Sequence, residues 1–505
     1  MSLFLLSFLP ELVLMAGALV LFFISLGESR SGQARWAALC TALATLGACV
    51  ACIGSEAVLF DGAYRVDQFS QLLKTVFAFG FVVILVLSDD LPDIRREIQP
   101  EYYLFMALSV SGLIMLVSCV DLLTLVIALE LSSFPLYFLV AMRREREGQR
   151  IQMEAAVKYI MFGVAANGIM LFGMSYLFGL TGTTSLPVLV NKLQSVGFPA
   201  PAVVGLSMMF AGVLYKLAVF PFHFWTPDVY QGASNESTSL IASLPKIGAV
   251  AVLVRFVSIA SPDNHSIVLL LTCLAAASML YGNLLALAQK DLKRLFGFSG
   301  IAHAGYALVG FVALDAAGSA AAVYYIVAYL FMILACFVVI CRVSKDGANV
   351  SVEDLAGLHR RAPLLAVTLG VGVFALAGIP PFAGFMGKLA LLTAALSKGH
   401  LALVILTVLN AAVAVYYYLR VIREAWFRDP GDRPAIPIRG MTRVLCMVLI
   451  AGILLLGMVP ARFMDAISQS LDRVDRPPVA ETSLEVLPGS RSHLHQAEHD
   501  STARQ

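Results

Sequence analysis

The stretch Leu214-Tyr215-Lys216-Leu217-Ala218-Val219-Phe220-Pro221-Phe222-His223-Phe224-Trp225-Thr226-Pro227-Asp228-Val229-Tyr230-Gln231-Gly232 decides how the rest of the chain is read. It begins apolar enough to lie in lipid, yet it holds a lysine and a proline. Proline at 221 removes an amide donor and crowds the carbonyl of Leu217, which frees backbone polar groups at membrane depth. Such a break is tolerated only where protein or water lines it. A second stretch, Gly378-Ile379-Pro380-Pro381-Phe382-Ala383-Gly384-Phe385-Met386-Gly387-Lys388, repeats the pattern. Four lysines in all, Lys158, Lys216, Lys246 and Lys388, stand in or at the edge of runs that otherwise read as membrane helices. An ionisable residue at the centre of a spanning helix costs roughly 2.5 to 3.5 kcal/mol, so a chain that keeps several uses them.

Composition sets the class. The chain has 505 residues, 59% of them hydrophobic and 13% charged, where soluble domains use roughly 25% charged residues. This reads as an all-α polytopic membrane protein. Crossing the hydrocarbon takes about 20 apolar residues, and fourteen candidate runs fall near 3–26, 33–54, 67–88, 102–118, 120–142, 154–180, 203–223, 237–258, 266–288, 295–313, 320–343, 364–390, 399–424 and 441–460. The first run has no Lys or Arg before Arg30, so it lacks the basic segment of a signal peptide and is expected to remain a membrane helix.

Net charge is only +2, which gives no support to nucleic-acid binding. Most loop Lys and Arg fall between runs 1–2, 3–4, 5–6, 9–10, 11–12 and 13–14, including Arg143, Arg144, Arg146, Arg150, Lys290, Lys293, Arg294, Arg360 and Arg361. The alternate loops hold mainly Arg65, Lys192 and Lys398. By the positive-inside rule the first set is cytoplasmic and both termini lie outside. Eight cysteines all lie in or beside apolar runs, where cysteine packs as a small hydrophobe. Cys49-Val-Ala-Cys52 has a redox spacing but no second pair, and zinc or iron–sulfur sites take four ligands. No strand pattern or dinucleotide-binding fingerprint is present, so the chain has no visible means of carrying electrons.

Along the chain, 1–101 holds runs 1 to 3, 102–258 and 259–428 hold five runs each, 429–472 holds run 14, and 473–505 reads as a disordered polar tail. His493, His495 and His499 in that tail read as solvated. Each five-run block has one proline-broken helix, and repeats that each contribute a discontinuous helix are a recurring transporter plan. Five helices per block gives the two repeats opposite orientations.

Single residues carry different weights. Glu130 lies mid-run with no basic residue for several turns, so its partner comes from another helix. Lys216 stands five residues before Pro221, about 7.5 Å along a helix, near the freed backbone. Burial disfavours either charge alone, so a Glu130–Lys216 pair is switchable by a movement of a few ångströms. Lys246 adjoins Pro245 inside run 8. Lys388 closes the second break, unless it snorkels to the outer surface. Lys158 reads equally as a carrier and as an interface anchor. His303, in Ser299-Gly-Ile-Ala-His303, suits a proton relay because imidazole titrates near neutrality. His223 and Trp225 flank the first break, where an aromatic belt explains Trp225.

With these residues in hand, the chain resembles subunit N of the proton-translocating NADH–quinone oxidoreductase, respiratory complex I. The resemblance spans nearly all fourteen runs. It is strongest over Lys216 to Ala233, and Asp228-Val-Tyr-Gln-Gly232 separates subunit N from the related large antiporter-like subunits and from multi-subunit cation–proton antiporters. Asp121-Leu-Leu-Thr-Leu, the Gly378 to Lys388 break, and Lys290-Asp-Leu-Lys-Arg leading to His303 match as well. The resemblance implies a subunit of a translocase in the bacterial inner membrane, moving protons as quinone is reduced in other subunits. The family's functional residues fall on Glu130, Lys158, Lys216, Lys246 and Lys388. NADH, FMN, iron–sulfur clusters and quinone are implied in partner subunits, and none of them in this chain. The implied neighbours are an antiporter-like subunit, small membrane subunits and the lipid bilayer. The alternative is a subunit of a cation–proton antiporter or of a related membrane-bound hydrogenase. One departure stands out: where the family has a Pro-Thr-Pro type turn, this chain has Ser234-Asn235-Glu236-Ser237-Thr238. Glu236 is expected to be a helix-end charge near water, which contributes only about 0.3 to 1 kcal/mol.

Overall fold

The computed structural model describes residues 6–472 apart from 28–30, 147, 149, 197 and 261–263; the histidines of the tail lie outside the described residues. The described part is built from helices and one short hairpin. Helix α1 (Leu9–Ser25) and α2 (Ser31–Ala51) lead to a β-hairpin, Ala57–Leu59 against Tyr64–Val66, and α3 (Gln68–Leu87). The first large block is α4 (Gln99–Leu116), α5 (Leu122–Ala141), α6 (Ile151–Thr181), α7 (Leu186–Val196), α8 (Ala200–Leu217), α9 (Trp225–Gly232) and α10 (Asn235–Val257). The second is α11 (His265–Leu287), α12 (Leu292–Phe311), α13 (Ala316–Val343), α14 (Leu358–Arg361), α15 (Pro363–Ala377), α16 (Ala383–Ser397) and α17 (Leu401–Phe427), after which come α18 (Gly440–Met458) and α19 (Pro460–Asp472).

Ten of these helices are long and apolar enough to cross a membrane alone. The other expected runs fall short for identifiable reasons. Run 12 is split into α15 and α16, α1 has 17 residues, and α4 and α12 carry polar residues such as Glu101, Lys293 and His303. Besides the short α9 and α14, two helices escaped the sequence pattern. α7 lies within the outer loop expected over 181–202, and α19 follows the last run.

Helix starts follow from capping. Asp67, Asp121, Asp291 and Asp315 each accept a backbone amide of the first turn of α3, α5, α12 and α13, satisfying donors that a helix start leaves orphaned. The two blocks share one further device. Asp121 forms an isolated antiparallel bridge to Ser185, and Asp291 forms the same bridge to Ser351. Leu122 N donates to Thr184 O at 2.9 Å in the first block, as Leu292 N does to Val350 O at 2.9 Å in the second.

The two discontinuities sit at corresponding places. α8 stops at Leu217 because Ala218 turns left-handed, at φ +67°, so the break precedes Pro221, which lies in the linker to α9. α15 stops at Ala377 with Gly378 at φ +86°, a conformation that glycine adopts without a Cβ penalty. The helices order from centre to periphery by burial. Every residue of α10 is buried, whereas α6, α11 and α17 each turn an apolar face outward, as lipid contact requires.

Candidate functional site

Three of the expected residues, Lys246, His303 and Lys388, meet around α10 and α12. Lys246, in α10, donates to the carbonyl of Gly300 at 2.8 Å, and its ammonium lies 5.0 Å from the centre of the Tyr329 ring. That ring stands 5.0 Å from His303, and His303 stands 5.7 Å from Tyr306. Lys388 closes the series with its ammonium 4.7 Å from the Tyr306 ring centre. Each of these side chains is buried. His303 is held at both ring nitrogens, Nδ1 to the Tyr325 hydroxyl at 2.7 Å and Nε2 to the Tyr418 hydroxyl at 3.0 Å. Tyr418 is held in turn by Ser299 at 2.5 Å.

Lys388 does not snorkel. Its ammonium turns back to the carbonyls of Leu376 and Ala377, each at 3.0 Å. Those are the last two residues of α15, where carbonyls lack helix partners and the dipole favours a cation. The break in the helix thus makes the binding site of its own lysine.

Lys216 lies in the last turn of α8 and reaches across to α5. It donates to Leu129 O at 3.2 Å and Ser133 Oγ at 2.8 Å, and contacts Ser132 Oγ. Glu130 accepts from Asn167 of α6. The expected direct Glu130–Lys216 ion pair is therefore not formed: among the described residues no ion pair within 4 Å includes either group. The reason is the exit direction of Glu130, which shares a half-exposed stripe of α5 with Leu123, Ile127, Phe134 and Phe138, while Ser132 and Ser133 face inward. Gly112 of α4 lets α5 approach closely at this point, since a Cβ there would run into the Ser132 backbone.

Lys158 belongs to a different setting. It pairs with Glu154 and Asp228, both at 2.7 Å, and Asp228 also accepts from Arg294 at 2.8 Å. With side-chain exposures of 37% for Lys158 and 32% for Asp228, this cluster lies at the edge of the buried line. Trp225 is not part of a belt. It is buried, stacks on Tyr159 at 4.5 Å and donates Nε1 to Tyr215 O at 3.1 Å, a carbonyl in the last turn of α8 that also accepts the amide of Ala218 at 3.0 Å. His223 packs between Phe220, Phe224 and Tyr281, and among the described residues neither ring nitrogen has a partner.

Two buried lysines escaped the sequence reading. Lys293 was counted with the basic loops, yet it is the second residue of α12, fully buried, and donates to Ala233 O at 2.7 Å. The helix-start signal of Asp291 two residues earlier was the available clue. Lys74 of α3 pairs with Glu11 of α1 at 2.6 Å, both fully buried. It met the same criterion as the other lysines, an ionisable residue within an apolar run. Glu236 also differs from expectation: it is 2% exposed, and Ser234 rather than Glu236 caps α10. The eight cysteines are unpaired, and among the described residues no group of three or more His, Cys, Asp or Glu is placed to hold a metal.

Residues 119–414 match the family model described as NADH:quinone oxidoreductase/Mrp antiporter, transmembrane. The chain is 63% identical over 466 residues to NADH-quinone oxidoreductase subunit N 2 of Opitutus terrae, covering 92% of this chain and 97% of that protein. It is 44% identical over 470 residues to the subunit N 2 of Solidesulfovibrio magneticus, covering 93% and 99%. Among solved structures it superposes on a chain of respiratory complex I from Thermus thermophilus with a TM-score of 0.78 at 30% identity, covering 91% of this chain and 99% of that one. A chain of the Mrp complex from a Dietzia species gives 0.82 at 20% identity, with coverages of 94% and 98%, a likeness of fold alone.

Proposed function

The chain belongs to the subunit N family of the NADH-quinone oxidoreductases, and from that premise we propose that it carries protons across the membrane as quinone is reduced in other subunits of the complex. One observation carries the reading: the contiguous buried line from Lys246 through Tyr329, His303 and Tyr306 to Lys388. Proton transfer requires groups within hydrogen-bond reach or one water apart, and buried ionisable side chains are retained in a bilayer where they serve such a path. Lys216 is the carrier of the first block and Lys388 that of the second, with Lys246 and His303 between. Glu130 acts on Lys216 through the field across α5, and Lys158 with Asp228 anchors the end of the first break. Electrons and their cofactors belong to partner subunits; the neighbours in the membrane are an antiporter-like subunit and small membrane subunits.

The blocks 102–258 and 259–428 are repeats in this reading, supported by the two capped bridges, and five crossings in each block would make them inverted. The basic loops then face the cytoplasm. A single cysteine at position 148 in a cysteine-free background is expected to be labelled in inverted vesicles and to stay unlabelled in intact cells. Labelling from outside would reverse the orientation. The function itself is tested by removing the chain. NADH-driven, ionophore-sensitive proton uptake into inverted vesicles is expected to disappear and to return on complementation, and uptake that persists without it would contradict the reading.

A further inference from the structure

The departure at Ser234-Asn235-Glu236 places a carboxyl inside the protein rather than at its surface. Glu236 is 2% exposed, and its Oε2 has no hydrogen-bond partner among the described residues. The helix start is already served, because Ser237 N donates to Ser234 Oγ at 3.1 Å. The adjoining Lys293, fully buried, donates to Ala233 O at 2.7 Å and is not ion-paired within 4 Å to Glu236. Burying a carboxyl with one oxygen left unpartnered is costly, so its retention calls for a use.

Its position on α10 supplies one. At 100° per residue, Glu236, Ser239, Ser243 and Lys246 fall within about 80° of one face and span about 15 Å of helix axis. All four are buried to 2% exposure or less. The two hydroxyls donate to the helix itself, Ser239 Oγ to Glu236 O at 2.7 Å and Ser243 Oγ to Ser239 O at 2.6 Å, which leaves their lone pairs free to accept. Hydroxyl rotors accept and donate in turn. Successive groups are about 4.5 to 6 Å apart along the axis, a gap that one bridging water spans. At its outer end the stripe is covered by the 344–350 segment, whose Asn349 donates to Gln231 O at 3.1 Å, and by Arg143, which donates to Gln231 O at 2.7 Å.

We propose that Glu236 is a proton-loading carboxyl for Lys246, an assignment that rests on the proton-carrying reading of the chain. The protonated carboxyl releases its proton through the Ser239 and then the Ser243 hydroxyl and intervening waters to the neutral amine of Lys246. The carboxylate left behind is compensated by the Lys293 ammonium and is reprotonated from the side of the basic loops. No bond other than O–H and N–H is made or broken.

The test uses the assembled enzyme in inverted vesicles, with NADH-driven proton uptake followed at two values of medium pH. Glu236→Gln keeps the size of the side chain and removes its proton. Uptake is expected to fall about ten-fold at about pH 8 and less than about two-fold at about pH 6, where hydronium is about a hundred-fold more abundant and substitutes for the lost collector. Glu236→Asp is expected to retain more than about half of the activity at both values, and Ser243→Ala to reproduce the pH-dependent loss. Wild-type uptake by Glu236→Gln at both values overturns the proposal. So does a loss equal at both values and shared by Glu236→Asp, which marks a packing role. The Lys246→Met enzyme separates the two levels. If it stops pumping while Glu236→Gln pumps normally, only the loading role falls; if it pumps normally, the proton-carrying reading falls as well.

Discussion

Replacement of Lys246 by methionine is expected to reduce NADH-driven proton uptake about a hundred-fold or more while the complex still assembles. Methionine matches the length of the lysine stem and removes the titratable group. Lys246 has no ion-pair partner within 4 Å among the described residues; its polar contacts are Gly300 O and the face of Tyr329. The substitution therefore strands no countercharge. It removes one extra donor from the Gly300 carbonyl, which lies inside α12; such a bond is worth about 0.5 to 1.5 kcal/mol, small for a helix buried along its whole length. Transfer is another matter, because Lys246 is the end of the line that continues through Tyr329 and His303. Native electrophoresis of solubilised membranes checks assembly, and uptake near the wild-type rate in the assembled variant would remove Lys246 from the path and overturn the proton-carrying reading that rests on the line it begins.

What the sequence made legible were features whose physical cost is visible locally. A lysine in an apolar run and a proline beside it are expensive wherever the chain folds, so Lys216, Lys246 and Lys388 could be picked out and the two breaks located. The exact stop of α8 could not be, since the left-handed turn at Ala218 has no glycine to announce it. Partners were the larger gap. Helices buried all round have no single apolar face whose period reveals orientation, and nothing in the run around Glu130 tells that it leaves on the stripe of Leu123 and Phe134 while Ser132 and Ser133 turn to Lys216. Tyr329, Tyr306, Tyr325 and Tyr418 read as ordinary aromatic residues of membrane helices; only tertiary packing brings them around His303 and the two lysines. Glu236 was misjudged for the same reason. A charge at a helix start is near water unless another segment covers it, and here 344–350 and Arg143 do so from distant parts of the chain.

The account turns on Lys216 being a group that releases its proton. Its ammonium is held by one carbonyl and two hydroxyls of α5, all neutral, and among the described residues no ion pair within 4 Å includes it. On the proposed reading, an amine there exchanges a proton when the field from Glu130 or the geometry of the break changes. A guanidinium does not, because it stays protonated under all conditions a protein meets. Lys216→Arg keeps the positive charge and the donors while removing the exchange. The most direct test is therefore NADH-driven proton uptake by inverted vesicles containing the assembled Lys216→Arg enzyme. The account predicts uptake at the level of vesicles lacking the chain, and uptake at the wild-type rate would contradict it, leaving Lys216 as a structural clamp between α8 and α5.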